Sequence, residues 1–160
     1  MLSFFTIGVF NSKEEEFFDK LIMNNIDTFC DIRQRRGVRG KKYAFVNSSY
    51  LQKKLADCGI RYIHVKALAP TGPIRQLQKK ADEEAGESNV GRKHLDPRFI
   101  FAYQQHILKS FDVESFIKSL TTDGCTSIAL FCVEEEACAC HRSLVAKRIS
   151  EVTKSTPHNL

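Results

Sequence analysis

The sequence predicts one α/β domain, a mostly parallel sheet of about four strands with helices on both faces. Short β-branched and aromatic runs alternate along the chain with segments whose apolar residues recur at helical spacing, and that alternation implies a parallel sheet covered by helices. A chain of 160 residues suits a single core. Its 42% hydrophobic and 27% charged residues are ordinary for a globular protein, which argues against disorder.

In chain order, Phe4 to Val9 reads as a buried first strand that closes on a turn at Gly8. Ser12-Lys-Glu-Glu15 reads as a capping box opening a helix over residues 12–25, with Phe17, Phe18, Leu21 and Ile22 at helical spacing. Asp27 to Ile32 is too short for a helix and rich in strand formers, so it is the second strand. It runs into Arg33-Gln-Arg-Arg-Gly-Val-Arg-Gly-Lys-Lys42, where six of ten residues are basic and two glycines prevent a regular helix. Asn47 to Ser49 then offers caps, with Gln52 completing a second capping box, for a helix carrying Leu51, Leu55 and Cys58 and stopped by Gly59. Ile60 to Val65 is the third strand.

Residues 66–95 hold Pro70, Gly72, Pro73, Gly86 and Gly91 among dense charges and too few large apolar residues for a core of their own. They read as a charged insertion or lid in which only Ile74 to Ala85 is helical. Asp96-Pro97 starts a helix that reaches about Lys109, and Asp112 to Leu120 is a second helix or a kinked continuation. Gly124 ends it, Ser127 to Val133 is the fourth strand, and a last helix runs from about Cys140 to Val152. The domain therefore spans residues 1–154, and 155–160 are a polar tail.

Composition narrows the function classes. A net charge of +5 is compatible with a phosphate-bearing partner without arguing nucleic-acid binding by itself. Six cysteines, two inside apolar runs and three crowded between Cys132 and Cys140, fit free thiols in a reducing compartment better than a disulfide framework. No run approaches the ~18 apolar residues of a membrane span, and the opening segment has no basic n-region. The expectation is a cytoplasmic protein with no membrane partner.

The chemistry concentrates after the fourth strand. Cys132-Val-Glu134, then Glu-Glu-Ala-Cys138-Ala-Cys140-His141-Arg142, places three thiols, carboxylates, an imidazole and a guanidinium within eleven residues at a strand-to-helix junction. Parallel strands bring that junction to the same sheet edge as the Gly8 turn and the Asp31-Ile-Arg33 loop, the edge where open α/β sheets bind ligands. Three uses are open. Cys140 near a helix N-terminus beside His141 and Arg142 suits a nucleophilic thiolate, with Glu134 and Asp31 as acid, base or orienting groups. Cys132, Cys138, Cys140 and His141 are soft ligands suited to zinc, though not at paired C-x-x-C spacing. The helix N-terminus with Arg142, Arg33 and the basic loop, including Arg35 and Arg39, suits an anion. The phosphatase spacing of Cys, five residues, Arg fails from either end, and the zinc deaminase pattern is absent. His64 and His106 read as core or surface histidines.

Thr6-Ile-Gly8, Asp31-Ile-Arg33, Phe45 before a Leu-rich helix, Gly59-Ile-Arg-Tyr62 with His64, and Cys132-Val-Glu134 followed by Cys140-His141-Arg142 together resemble the domain of unknown function 488 family, over nearly the whole chain and in order. The resemblance implies an α/β domain with a polar site built from these motifs, and no settled activity. It also marks departures: Arg36 and Val38 stand where the family usually has Pro and Ser, and Leu68-Ala69-Pro70 replaces Leu-Gly-Gly.

The reading that follows is an enzyme acting on an anionic, phosphate-bearing small molecule or nucleic acid at the sheet edge. Arg33, Arg142, Arg35, Arg39 and the Gly8 turn would hold the anion, and Glu134, Cys140, His141 and Asp31 would carry the chemistry. No cofactor is required, with zinc as the alternative use of the cysteines. A non-catalytic nucleic-acid-binding module and a structural zinc site are the competing readings.

Overall fold

The computed structural model describes residues 2–160. Five parallel strands form one sheet, β1 Ser3–Ile7, β2 Thr28–Asp31, β3 Arg61–His64, β4 Ser127–Phe131 and β5 His158–Asn159, in the order β3-β2-β4-β1-β5. The sheet has one strand beyond the expected count of about four. The polar tail supplies the fifth strand, whose Leu160 N–H bonds the Thr6 carbonyl and whose Asn159 Oδ1 accepts from Thr6 Oγ1 at 2.6 Å. Two polar residues carry no strand signal of their own; the open edge of β1 decides their conformation.

Strand β4 lies at the centre and all five of its residues are buried, as a continuous apolar run requires when both faces are covered. On one face, helices α1 Glu14–Met23 and α2 Ser48–Asp57 set Phe17, Phe18, Leu21, Leu51 and Leu55 against Ile7, Phe29, Ala129 and Phe131. On the other, α3 Gly72–Ala85, α4 Pro97–Tyr103, α5 Val113–Thr122 and α6 His141–Thr153 cover Phe4, Cys30, Ile32, Ile128, Leu130 and Cys132.

Local chemistry moves some boundaries. The first cap is Lys13, not Ser12: the Glu16 carboxylate accepts from the Lys13 N–H at 3.1 Å, so the back-bond of the expected capping box is made one residue later. Asn47 precedes α2, but its Oδ1 accepts from the Val38 N–H at 2.7 Å and so pins the basic loop instead of the helix. Gly72-Pro73 fills the first turn of α3 without a penalty, which starts it two residues before Ile74. Helix α4 runs into a wider π turn over Gln104–Leu108, the kink before α5. Among the described residues no helix is long and apolar enough to cross a membrane.

Candidate functional site

Beyond β4 the chain stays in register for Cys132, whose N–H bonds the Ile7 carbonyl, and then turns through Ala137–Ala139 into α6. Cys140 is the N-cap of α6, with extended backbone at φ −136° and ψ 147°, and His141 is the first helical residue. Two neighbours inside a helix point in different directions, but a cap residue is not bound by that stagger. Cys140 Sγ and His141 Nδ1 therefore meet at 3.7 Å, whereas Arg142, within the helix, turns elsewhere. His141 Nε2 lies 3.0 Å from the Ile32 carbonyl. A carbonyl only accepts, so Nε2 carries a hydrogen and the neutral ring presents the lone pair of Nδ1 to the sulfur. The Tyr103 ring packs against the imidazole at 5.5 Å, and its hydroxyl donates to the Leu68 carbonyl.

Cys132 arrives from the sheet and donates through Sγ to Glu134 Oε2 at 3.2 Å. Ligand atoms of Cys132, Cys140 and His141 all lie within 4.8 Å of one another, and all three residues are buried. Glu134 Oε1 is 3.4 Å from Arg92 Nη1, and Arg92 is itself clamped by Asp82, with its Nη2 2.6 Å from Oδ2. Gln78 completes the support, donating to Asp82 Oδ1 and accepting from the Asp96 N–H. The 66–95 segment thus delivers an arginine to the site. Arg92 escaped the sequence reading because a basic residue beside Lys93 in a densely charged segment has no pattern to mark it.

Strand alternation separates the remaining candidates. Asp31 and Arg33 fall on the opposite face of the sheet from Cys132, where the Arg33 guanidinium sits 4.7 Å over the Phe131 ring. The two pair with each other, Arg33 Nε and Nη2 donating to the Asp31 carboxylate at 2.9 and 2.7 Å, while the Tyr62 hydroxyl donates to it at 2.8 Å and Val46 O takes a second bond from Nη2. Asp31 does not join the Cys140 cluster, and Arg33 is paired with Asp31 inside the protein, with Nη1 buried and without a hydrogen-bond partner. The link between the two faces is backbone, through the Ile32 carbonyl.

Arg142 and Gly8 both bear on the loop after β4. Arg142, 2% exposed, donates through Nη1 and Nη2 to the carbonyls of Glu134 and Glu135 and so holds the loop. A Cβ on Gly8 would stand 2.0 Å from the Glu134 carbonyl oxygen, so glycine is what lets the loop lie against β1. Cys138 faces outward and donates to the Lys93 carbonyl at 3.2 Å, which reduces the expected zinc set of four to Cys132, Cys140 and His141. Arg35 and Arg39 stand exposed on the basic loop, His106 is exposed, and His64 Nε2 donates to the Arg33 carbonyl at 2.9 Å.

Burial pushes the Cys140 thiol up, but the neighbouring Cys132 thiol and the charges of His141 and Arg142 outweigh it and hold the thiol well below its ordinary range. Cys132 moves the other way, raised by the adjacent Cys140 sulfur, by burial and by the negative charges of Cys140 and Glu134. Burial and the Cys140 charge lift the Glu134 carboxyl to about 7, against His141 and Arg92. Burial lowers His141, yet the Cys140 charge and hydrogen bond, with Glu134, carry it above its usual value. The surroundings thus favour the thiolate of Cys140 over that of Cys132.

No curated protein and no solved structure matches the chain. A family model described as Domain of unknown function DUF488 does, over residues 13–149, from the start of α1 to within α6. That span carries every side chain of the cysteine–histidine cluster and its Arg92 support, and the protein is a member of the DUF488 family.

Proposed function

We propose that this protein is an enzyme that acts on an anionic, phosphate-bearing ligand at the C-terminal edge of its sheet, with a zinc-class ion held by Cys132, Cys140 and His141. The convergence of those three donor atoms within 4.8 Å carries the reading. Zinc–sulfur and zinc–nitrogen bonds of about 2.3 and 2.0 Å put neighbouring tetrahedral ligands roughly 3.5 Å apart, close to the 3.7 Å between Cys140 Sγ and His141 Nδ1. An imidazole whose far nitrogen donates to a carbonyl is the usual support of a metal-bound histidine. Three ionisable groups buried together are also costly without a cation among them.

When bound, the ion would supply positive charge to polarise the ligand's anionic group. Glu134, with one oxygen at Cys132 and the other at Arg92, would serve as the proton-handling group. The exposed Arg35, Arg36 and Arg39 start from the same sheet edge and attract an anion at range. Nucleotides, nucleic acid and smaller phosphorylated molecules share that chemistry.

The test is metal analysis of protein purified under reducing conditions. About one zinc per chain is expected, lost in Cys140→Ser and His141→Ala and retained in Cys138→Ser. Metal-free protein that takes up no added zinc refutes the metal. For the ligand, calorimetric titration with inorganic pyrophosphate should give an affinity that weakens in an Arg35→Ala/Arg39→Ala variant and with salt.

A second reading is favoured by the position of Cys140 at a helix N-cap beside an imidazole, the setting of a nucleophilic thiolate. At 1% exposure that sulfur is closed to a substrate until the loop opens. Absence of metal together with alkylation of Cys140 ahead of the exposed Cys138 would favour it. Salt-steep affinity for short RNA or DNA that ignores Cys140 and Glu134 substitutions would replace both with a binding module.

A further inference from the structure

We infer that Cys132 and Cys140 are a redox-modification site: a hydroperoxide joins them in a disulfide and so dismantles the metal centre. Only the second half of this statement rests on the metal reading proposed above; the pairing stands without an ion.

The two sulfurs lie within 4.8 Å, and a disulfide bond of about 2.05 Å needs them to close the remaining gap. The chain between them, residues 133–139, contains one short turn and neither strand nor α-helix, so it can follow a small movement. The nearby competitor, Cys138, points outward to the Lys93 carbonyl. Cys125 sits at the opposite end of β4, hydrogen-bonded to Thr28, and Cys58 lies at the far end of α2.

Burial selects the oxidant and the product. Cys140 is 1% and Cys132 6% exposed, so a glutathione-sized thiol is shut out and the oxidant must be as small as a hydroperoxide, entering as the 133–139 loop moves. Oxidation of the buried pair therefore ends in an internal bond, whereas the exposed Cys138 is the position open to a mixed disulfide.

The steps balance. The Cys140 thiolate attacks one peroxide oxygen, forming S–O as O–O breaks, and the departing hydroxide or alkoxide takes the proton of the Cys132 thiol. The Cys132 thiolate then attacks the sulfur of the Cys140 sulfenic acid; S–S forms as S–O breaks, and the departing hydroxide takes up the proton that the Cys140 thiol had released, leaving as water. Two thiols and one hydroperoxide give a disulfide, an alcohol or water, and water; the sulfurs lose two electrons and the peroxide gains them. Two of the three metal donors are consumed, so a bound ion is released.

The experiment treats zinc-loaded and metal-free protein with hydrogen peroxide, then maps disulfides by mass spectrometry, counts free thiols and follows zinc with a chelating dye. Expected are loss of two thiols, a mass lower by the two thiol hydrogens, a Cys132–Cys140 linked peptide, zinc release in step with the linkage, and reversal by dithiothreitol. Cys138→Ser should behave as the parent, and Cys132→Ser should form no such link. A sulfinic acid on Cys140 without cross-linking, or Cys138 replacing Cys132 in the link, overturns the inference. A linked peptide in protein that binds no zinc upholds the pairing while the metal reading fails. Bound zinc with no linked peptide upholds the metal reading and overturns the pairing.

Discussion

Substituting Gly8 by alanine tests how the site is held. The added Cβ would lie 2.0 Å from the Glu134 carbonyl oxygen and 2.9 Å from its carbon, with Arg142 Nη2 at 3.1 Å. Ordinary contact needs about 3.5 Å, so the Glu134 peptide must retreat by roughly 1.5 Å. Both nearest atoms are backbone, and the displaced carbonyl is the one that Arg142 Nη1 holds. Losing a charge-assisted hydrogen bond costs about 1.5–3 kcal/mol, and overpacking a closed site adds about 1–3 kcal/mol. The expected destabilisation is about 3–5 kcal/mol, read as a lower urea midpoint at unchanged m-value. Because Glu134 and Cys132 move with the loop, zinc affinity should fall at least tenfold in the fraction that stays folded. A Gly8→Ala protein with parental midpoint and parental zinc affinity would mean that the loop does not rest on β1, and the account of Gly8 and Arg142 would be wrong.

Other expectations concern the scaffold. The Asp27 carboxylate accepts from the Thr126 N–H, the Thr126 hydroxyl and the Ser127 N–H through Oδ2, tying the start of β2 to the start of β4. Burial raises this group, but the bonds from Thr126, Thr28 and Ser127 outweigh it and leave it below the ordinary value. A depressed folded value means that its contribution is complete above the unfolded value near 4 and is lost as pH falls through the folded one. Asp27→Ala should therefore cost about 1–3 kcal/mol at pH 7 and distinctly less near pH 2–3, measured by urea unfolding at both; an equal cost at both would refute the linkage. Removal of residues 156–160 takes away β5, the Thr6–Asn159 bond and the Phe5–His158 ring contact. It should lower stability by about 1–3 kcal/mol and expose the β1 edge, seen as concentration-dependent light scattering; a truncated chain of full stability and unchanged scattering would show that β5 is dispensable.

What the sequence determined by itself is local in origin. Alternating strand and helix patterns defined the parallel sheet, because a residue period and a turn signal are properties of neighbours in the chain. Cys132, Glu134, Cys140 and His141 were legible as a cluster because a strand end and a helix start within eleven residues cannot separate them far. What the tertiary structure decided depends on direction. Alternation through Ile32 sent Asp31 and Arg33 to the far face, although they stand beside the residue whose carbonyl fixes His141. The extended cap at Cys140 turned its sulfur toward His141 and left Arg142 to bind carbonyls. Arg92 reached Glu134 across forty-two positions, and Asn159 reached Thr6 across one hundred and fifty-three. Contacts between residues so far apart in the chain are set by how helices and edges pack, and no local pattern encodes them.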